Sequence, residues 1–347
     1  MRTTIWPAMA LAGLVMLAGC KANPGAASHG NPNDITGAGA TFPNPIYSRW
    51  FTEYGRLHDG VRINYQSVGS GAGIRQVSKQ IVDFGASDGP MSDAQLKAAQ
   101  VKILHIPTVL GAVVPVYNLP GLNAELRFSP EVIADIYLEK IKRWNDPRIV
   151  ADNPGVTLPD HVILPVYRSE GSGTTYIFTN FLSKISPEFK QTIGCNTSVL
   201  WPVGIGQKGN EGVAGIVRNA KYSFGYVELI YAAQNHMLYG AVKNADGKWV
   251  KATTATVTAA AASDAAEMPA DYRASITNAP GAESYPIASY TWLLIPAHWR
   301  NPEKGKVMVD FLTWMLDHGQ AEAAGMSYAP LPADVAARVK KTLAEID

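Results

Sequence analysis

Three stretches of the chain combine glycines with small hydroxyl residues, and each stands where a helix should begin. They are Gly37-Ala38-Gly39-Ala40-Thr41-Phe42-Pro43, Val68-Gly69-Ser70-Gly71-Ala72-Gly73, and Arg168-Ser169-Glu170-Gly171-Ser172-Gly173-Thr174-Thr175. The chemistry such segments suit is anion binding. Backbone N–H groups at a helix start lack intrahelical partners and carry partial positive charge. Glycine lets a ligand approach that backbone closely, and Ser and Thr hydroxyls add donors. Three such ends converging would surround a tetrahedral oxyanion with fixed dipoles, and Arg168 would add a charge-assisted contact.

Asp88 gives the pattern a selectivity. It ends the short run Phe84-Gly85-Ala86-Ser87-Asp88, where a turn residue is the plain alternative. An ionised carboxylate repels an anion unless a proton lies between them. Phosphate carries at least one proton at neutral pH, and arsenate resembles it in this; sulfate has none to give. A site built around a ligand's hydrogen bond can reject the analogue lacking it by roughly 10⁴–10⁵. Within an anion site, Asp88 would therefore select a protonated oxyanion.

Other chemistries find little support. Gly37-Ala38-Gly39 and Gly69-Ser70-Gly71 do not complete a dinucleotide fingerprint, and neither a P-loop nor a G-x-S-x-G elbow occurs. The seven His, at 29, 58, 105, 161, 236, 298 and 318, lack metal-ligand spacing, so they read as surface or core residues. A phosphatase would need a metal cluster or an activated nucleophile, and no cofactor or metal is implied. Formal net charge is +1, and residues 1–19 hold one Arg and no acid, which leaves the rest neutral. Such a chain has no footprint for nucleic acid and no long-range field to gather anions. Anion binding here must come from a local site.

The 347 residues suffice for two domains, and 47% hydrophobic with 17% charged residues suits a soluble globular protein. At the N-terminus Arg2 precedes an apolar run from Ile5 to Leu17, too short to span a bilayer and fit for a signal peptide over residues 1–19. Leu17-Ala18-Gly19-Cys20 resembles a bacterial lipobox, which implies cleavage before Cys20 and lipid on its sulfur. Residues 20–33 then form a flexible tether, reaching roughly 20 Å as a coil. With Cys20 acylated, Cys195 has no partner for an internal disulfide, and it reads as a packing residue.

Apolar spacing predicts helices over Ile46–Tyr54, Ile74–Ile81, Pro130–Tyr137 capped by Ser129, Thr174–Leu182, Pro302–His318 and Ala333–Leu343. Strands are expected over Val61–Val68, Val82–Ser87, Val109–Tyr117, Val162–Tyr167, Phe224–Val227 and Tyr290–Ile295. Ala252–Glu267 reads as a surface helix or loop. The alternation argues for an α/β class with mostly parallel sheets.

Taken in order, these segments resemble the substrate-binding protein of the bacterial high-affinity phosphate ABC importer. The resemblance runs from about Thr36 to the C-terminus. It rests on Gly37–Pro43, Tyr65-Gln66-Ser67-Val68-Gly69-Ser70, Asp83–Asp88, Asp135–Trp144, Arg168–Thr174, Gly209-Asn210-Glu211-Gly212-Val213 and Phe224–Val227. It implies a two-lobe periplasmic-binding fold of type II, with mixed sheets flanked by helices and the ligand in the interlobe cleft. Lobe I would be 34–110 plus 288–347, and lobe II 111–287. Carried over motif by motif, the phosphate-binding residues are Thr41, Phe42 through its N–H, Ser70, Asp88 as proton acceptor, Arg168, Ser172, Gly173 and Thr174. Glu170 stands beside the arginine where many members carry Asp, and the lipobox is absent from soluble periplasmic members. The implied role is not enzymatic: an exported, lipid-anchored monomer, periplasmic or at the cell surface, passes phosphate to a permease and its ATPase. A secreted phosphatase, or a surface signalling protein on the same scaffold, is the alternative.

Overall fold

A computed structural model describes residues 31–122, 124–263 and 268–347, and Pro32–Asp347 form one compact unit. The signal segment and Cys20 lie outside the described residues, as does most of the tether. The first half runs β1 (Asp34–Gly39), α1 (Asn44–Leu57), β2 (Arg62–Ser67), α2 (Ser70–Ser78), β3 (Phe84–Ser87), α3 (Asp93–Ala98) and β4 (Ile103–Tyr117). Next come β5 (Arg127–Phe128), α4 (Pro130–Tyr137), α5 (Pro147–Asp152), β6 (Leu164–Arg168), α6 (Gly173–Ile185) and α7 (Pro187–Thr192). Then follow β7 (Ile205–Gln207), α8 (Gly209–Asn219), β8 (Ser223–Glu228), α9 (Leu229–Gln234), β9 (Ala241–Lys243), β10 (Trp249–Val250) and α10 (Thr254–Ala262). The chain ends through β11 (Ala288–Pro296), α11 (Pro302–Trp314), a π-helical turn Met315–Gly319, α12 (Gln320–Ala323) and α13 (Ala333–Thr342).

Eight strands form one sheet in the order β2-β1-β3-β11-β4-β8-β6-β7. Pairing is parallel among β1, β2 and β3 and among β6, β7 and β8. It is antiparallel where β11 meets β3 and β4, and where β4 meets β8. The sheet is mixed, as the resemblance implied, rather than mostly parallel as the strand–helix alternation alone suggested. Strand–helix alternation holds within each half, but β4 and β11 join halves whose strands run in opposite senses. β4 pairs with β11 through Ile103–Ala112 and with β8 through Val113–Tyr117. All of β4 is buried, as a continuous apolar and β-branched run requires.

The amphipathic pattern of α1 buries Ile46, Tyr47, Trp50, Phe51 and Tyr54, as expected. α2 starts earlier than apolar spacing suggested. Gly69, at φ +95°, turns the chain so that the helix opens at Ser70, and Gln80 at φ +50° halts it short of Ile81. Ser129 stands at the cap position of α4 without making a cap bond, because its Oγ donates to Asp152 Oδ2 at 2.7 Å. α10 occupies most of the Ala/Thr-rich segment and buries Val257, Ala260 and Ala261. Cys195, expected to pack, is exposed: Gly194, at φ +76°, carries the chain outward after α7. Among the described residues no helix is long and apolar enough to cross a membrane.

Candidate anion-binding site

The three glycine-rich segments lie at the C-terminal ends of β1, β2 and β6, and Asp88 follows β3. In open α/β sheets that is where ligands bind. The first segment is tied down through its carbonyls. Tyr231 Oη donates to Thr41 O at 2.6 Å, and Tyr328 Oη donates to Phe42 O at 2.7 Å. The second is joined to the first, since Val68 and Gly69 N–H both donate to Gly39 O at 3.0 and 2.8 Å. The third crosses to the second, with Gly71 N–H donating to Gly171 O at 2.9 Å. Ser172 caps α6, its Oγ accepting from Thr175 N–H at 3.1 Å.

Thr41, Ser70, Asp88, Arg168, Gly173 and Thr174 are brought together by contacts between the loops, and Phe42 and Ser172 are their chain neighbours. Ser70 Oγ accepts from Asp88 N–H at 3.3 Å. A Cβ placed on Gly173 would stand 2.4 Å from Asp88 Oδ2 and 2.5 Å from Ser70 Oγ, so only glycine lets α6 begin against that carboxylate. Arg168 Nη1 donates to Thr174 Oγ1 at 3.2 Å. Thr41, Phe42, Ser70, Asp88, Arg168, Ser172 and Thr174 are each 4% exposed or less. Among the described residues, the N–H groups of Phe42, Ser70, Gly173 and Thr174 donate to no protein acceptor. Buried donors without partners are costly, so a cluster of them marks a place prepared for acceptor oxygens.

The two ionisable groups are furnished differently. Arg168 donates through Nε at 3.0 Å, and also through Nη2, to Glu170 Oε1. That same oxygen accepts Gly209 N–H at 3.0 Å, while Glu170 Oε2 is buried without a partner. Glu170 thus holds the guanidinium in plane and ties it to the start of α8. Asp88 Oδ1 accepts from Thr291 Oγ1 at 2.8 Å. Burial pushes the Asp88 carboxyl from its usual 3.8 up to about 7, against the opposing pull of Thr291, Arg168 and Ser70. A carboxyl with that balance can accept or release a proton near neutral pH.

Three contributors escaped the sequence reading. Thr291 orients Asp88 from β11, but within Tyr290–Ile295 it looks like any β-branched strand residue. Tyr226 Oη meets Thr175 Oγ1 at 2.6 Å and accepts Arg168 N–H at 3.3 Å. Asn210 bonds both Thr41 and Thr174. The one available signal was the glycine pair around it in Gly209-Asn210-Glu211-Gly212.

A mixed α/β fold with buried loop donors at strand ends defines a solute-binding protein of the periplasmic-binding kind, and the PBP superfamily domain matches residues 26–318. Within that class the chain belongs to the family of phosphate-binding proteins named PstS. It is 45% identical over 307 residues to the phosphate-binding protein PstS of Pasteurella multocida, covering 88% of each chain. It is 37% identical to the phosphate-binding protein PstS of Methanocaldococcus jannaschii, covering 93% of this chain and 90% of that one. Among solved structures, the fold matches a high affinity periplasmic phosphate-binding protein, PfluDING, bound with phosphate. There the TM-score is 0.70 at 23% identity, covering 89% of this chain and 93% of the other.

Proposed function

We propose that this protein binds one inorganic phosphate outside the cytoplasm and delivers it to the permease of an ABC importer. The observation that carries the reading is the set of buried N–H donors from three loops, unpartnered by protein, with α6 beginning at Gly173 against Asp88 and Arg168 bonded to Thr174. Phosphate oxygens would accept from Phe42, Gly173 and Thr174 N–H, from the hydroxyls of Thr41, Ser70, Ser172 and Thr174, and from Arg168. Asp88 would take the ligand's proton. Sulfate, having none to give, would face a carboxylate in a dry site and be excluded. Glu170 would hold the arginine rather than touch the ligand.

Closure would be a hinge motion between lobe I, 34–110 plus 288–347, and lobe II, 111–287. The change of β4 partner between Ala112 and Val113 supports that boundary. The lipobox supports an anchor at Cys20, with the body held near a membrane on its tether as a monomer. The test is equilibrium binding of radiolabelled phosphate to the compact unit, stripped of bound anion, with excess sulfate as competitor. Saturable one-to-one binding, micromolar or tighter (about −8 kcal/mol) and unmoved by sulfate, is the expected result. An absence of binding sinks the proposal.

A further inference from the structure

Asn210, at the second position of α8, is fully buried. Its Oδ1 accepts from Glu228 N–H at 3.0 Å, which fixes the orientation of the amide. Nδ2 must therefore face the other way, and there it donates to Thr41 Oγ1 at 2.9 Å and to Thr174 Oγ1 at 3.1 Å. The backbone N–H of Asn210 also donates to Thr41 Oγ1, at 3.3 Å. A hydroxyl has two acceptor lone pairs and one hydrogen. Thr41 Oγ1 accepts twice from Asn210, and Thr174 Oγ1 accepts from Asn210 and from Arg168 Nη1 at 3.2 Å. Both hydroxyls have their lone pairs occupied, so each has only its hydrogen left to offer.

We infer that Asn210 is a positioning residue that forces the Thr41 and Thr174 hydroxyls to act as donors to the bound oxyanion, while bridging the loop after β1 to the start of α6. The inference rests on the proposed anion site. It explains why an amide, a donor toward the hydroxyls and an acceptor toward Glu228, stands where a carboxylate of the same shape would not serve. Opposite Asp⁻ the two hydroxyls would turn to donate inward and stop donating to the ligand. With both hydroxyls polarised by Asn210, neither can accept the ligand's proton, so Asn210 fixes the sense of hydrogen bonding at these two contacts and leaves the proposed acceptor role of Asp88 unopposed by them.

The test measures phosphate affinity by calorimetry, from pH 5 to pH 8, for the purified protein and for Asn210→Ala and Asn210→Asp. Asn210→Ala should bind about tenfold to a hundredfold more weakly. Asn210→Asp should lose about a hundredfold at pH 8. Measured against the natural protein, its deficit should shrink toward pH 5, as the buried carboxyl gains a proton and can donate again. Phosphate's own ionisation is common to both proteins and cancels in that ratio. In a Thr41→Val/Thr174→Val background, Asn210→Ala should add less than threefold, because it acts through those hydroxyls. Losses that multiply, or an Asp variant whose deficit does not vary with pH, overturn the inference and leave the phosphate site standing. If Asn210→Ala fails to fold, the near-isosteric Asp variant carries the test through its pH profile. A natural protein that binds no phosphate overturns the site itself, and with it this inference.

Discussion

The two sides of the site handle buried charge in opposite ways. On the β6 side Arg168 is neutralised within the protein, since Glu170 takes two of its donor nitrogens on one oxygen. On the β3 side Asp88 has hydroxyls, not a cation, as its nearest partners, and its carboxyl is pushed up to about 7. The arginine is locked in one charge state and one plane, while the aspartate sits where a proton decides its character. A site built this way attracts by oriented donors rather than by net charge, as a neutral chain requires. On the proposed function it would discriminate through Asp88, the group whose protonation sits near neutral pH. The β6 side is thus suited to affinity and the β3 side to selectivity.

Replacing one side at a time should separate those roles. Asp88→Asn removes the carboxylate proposed to repel sulfate and supplies an amide that could donate to it. The preference for phosphate over sulfate should fall by on the order of 10³-fold, most of the discrimination such a site can achieve. Competition of sulfate for labelled phosphate measures this, and unchanged selectivity would end the division of labour. Arg168→Ala should leave that preference largely intact while weakening phosphate by roughly 10²- to 10³-fold, since one partner of a buried, hydrogen-bonded charge pair is lost. Phosphate affinity itself should fall less in Asp88→Asn than in Arg168→Ala.

The contrast also predicts a pH signature without ligand. Asp88 has a folded pKa of about 7 against an ordinary 3.8, so the native state holds its proton more tightly than the unfolded chain. For an acid raised in this way, stability is greatest at low pH and falls as pH climbs from 3.8 to about 7. Above that the loss is complete, on the order of 4 kcal/mol. Asp88→Asn removes this dependence. Urea melts of the ligand-free proteins should show the variant gaining on the natural protein between pH 4 and pH 8. Burial, with a smaller push from the Asp88 charge, also holds the Glu228 carboxyl well above its ordinary range, so both proteins are compared in a Glu228→Gln background. An equal difference at both pH values would mean that Asp88 stays ionised throughout.

The sequence made much of this legible because loop chemistry is local. Glycine, Ser and Thr before an apolar helical pattern declare a helix start, so Ser70, Ser172, Gly173 and Thr174 were visible as candidates. Arg168 stood beside them in the chain. What was hidden depends on pairing between distant segments. Thr291 lies far along the chain from Asp88 and bears no mark of its contact. Asn210 was visible only as a member of a glycine-flanked motif, and its bonds to Thr41 and Thr174 depend on how the halves close. The sense of the sheet was hidden for a like reason. Hydrophobic runs reveal that β4 and β11 are buried, not which direction their neighbours take.

Glu170 offers the finest division of the two sides, because it touches the arginine without belonging to the set that would touch the ligand. One of its oxygens serves both Arg168 and Gly209 N–H, while the other is buried and idle. Its length is what lets a single oxygen reach both groups. Glu170→Asp should keep the ion pair, since aspartate can still meet the guanidinium, but should lose the bond to Gly209. That is one hydrogen bond, about 1 kcal/mol, and a weakening of phosphate of about fivefold. The preference over sulfate should not move, because Asp88 and Thr291 are untouched. A loss approaching that of Arg168→Ala would show that the guanidinium cannot be held by the shorter acid. A change in sulfate rejection would show instead that the two sides are coupled through Arg168, and that affinity and selectivity are one property of the closed site.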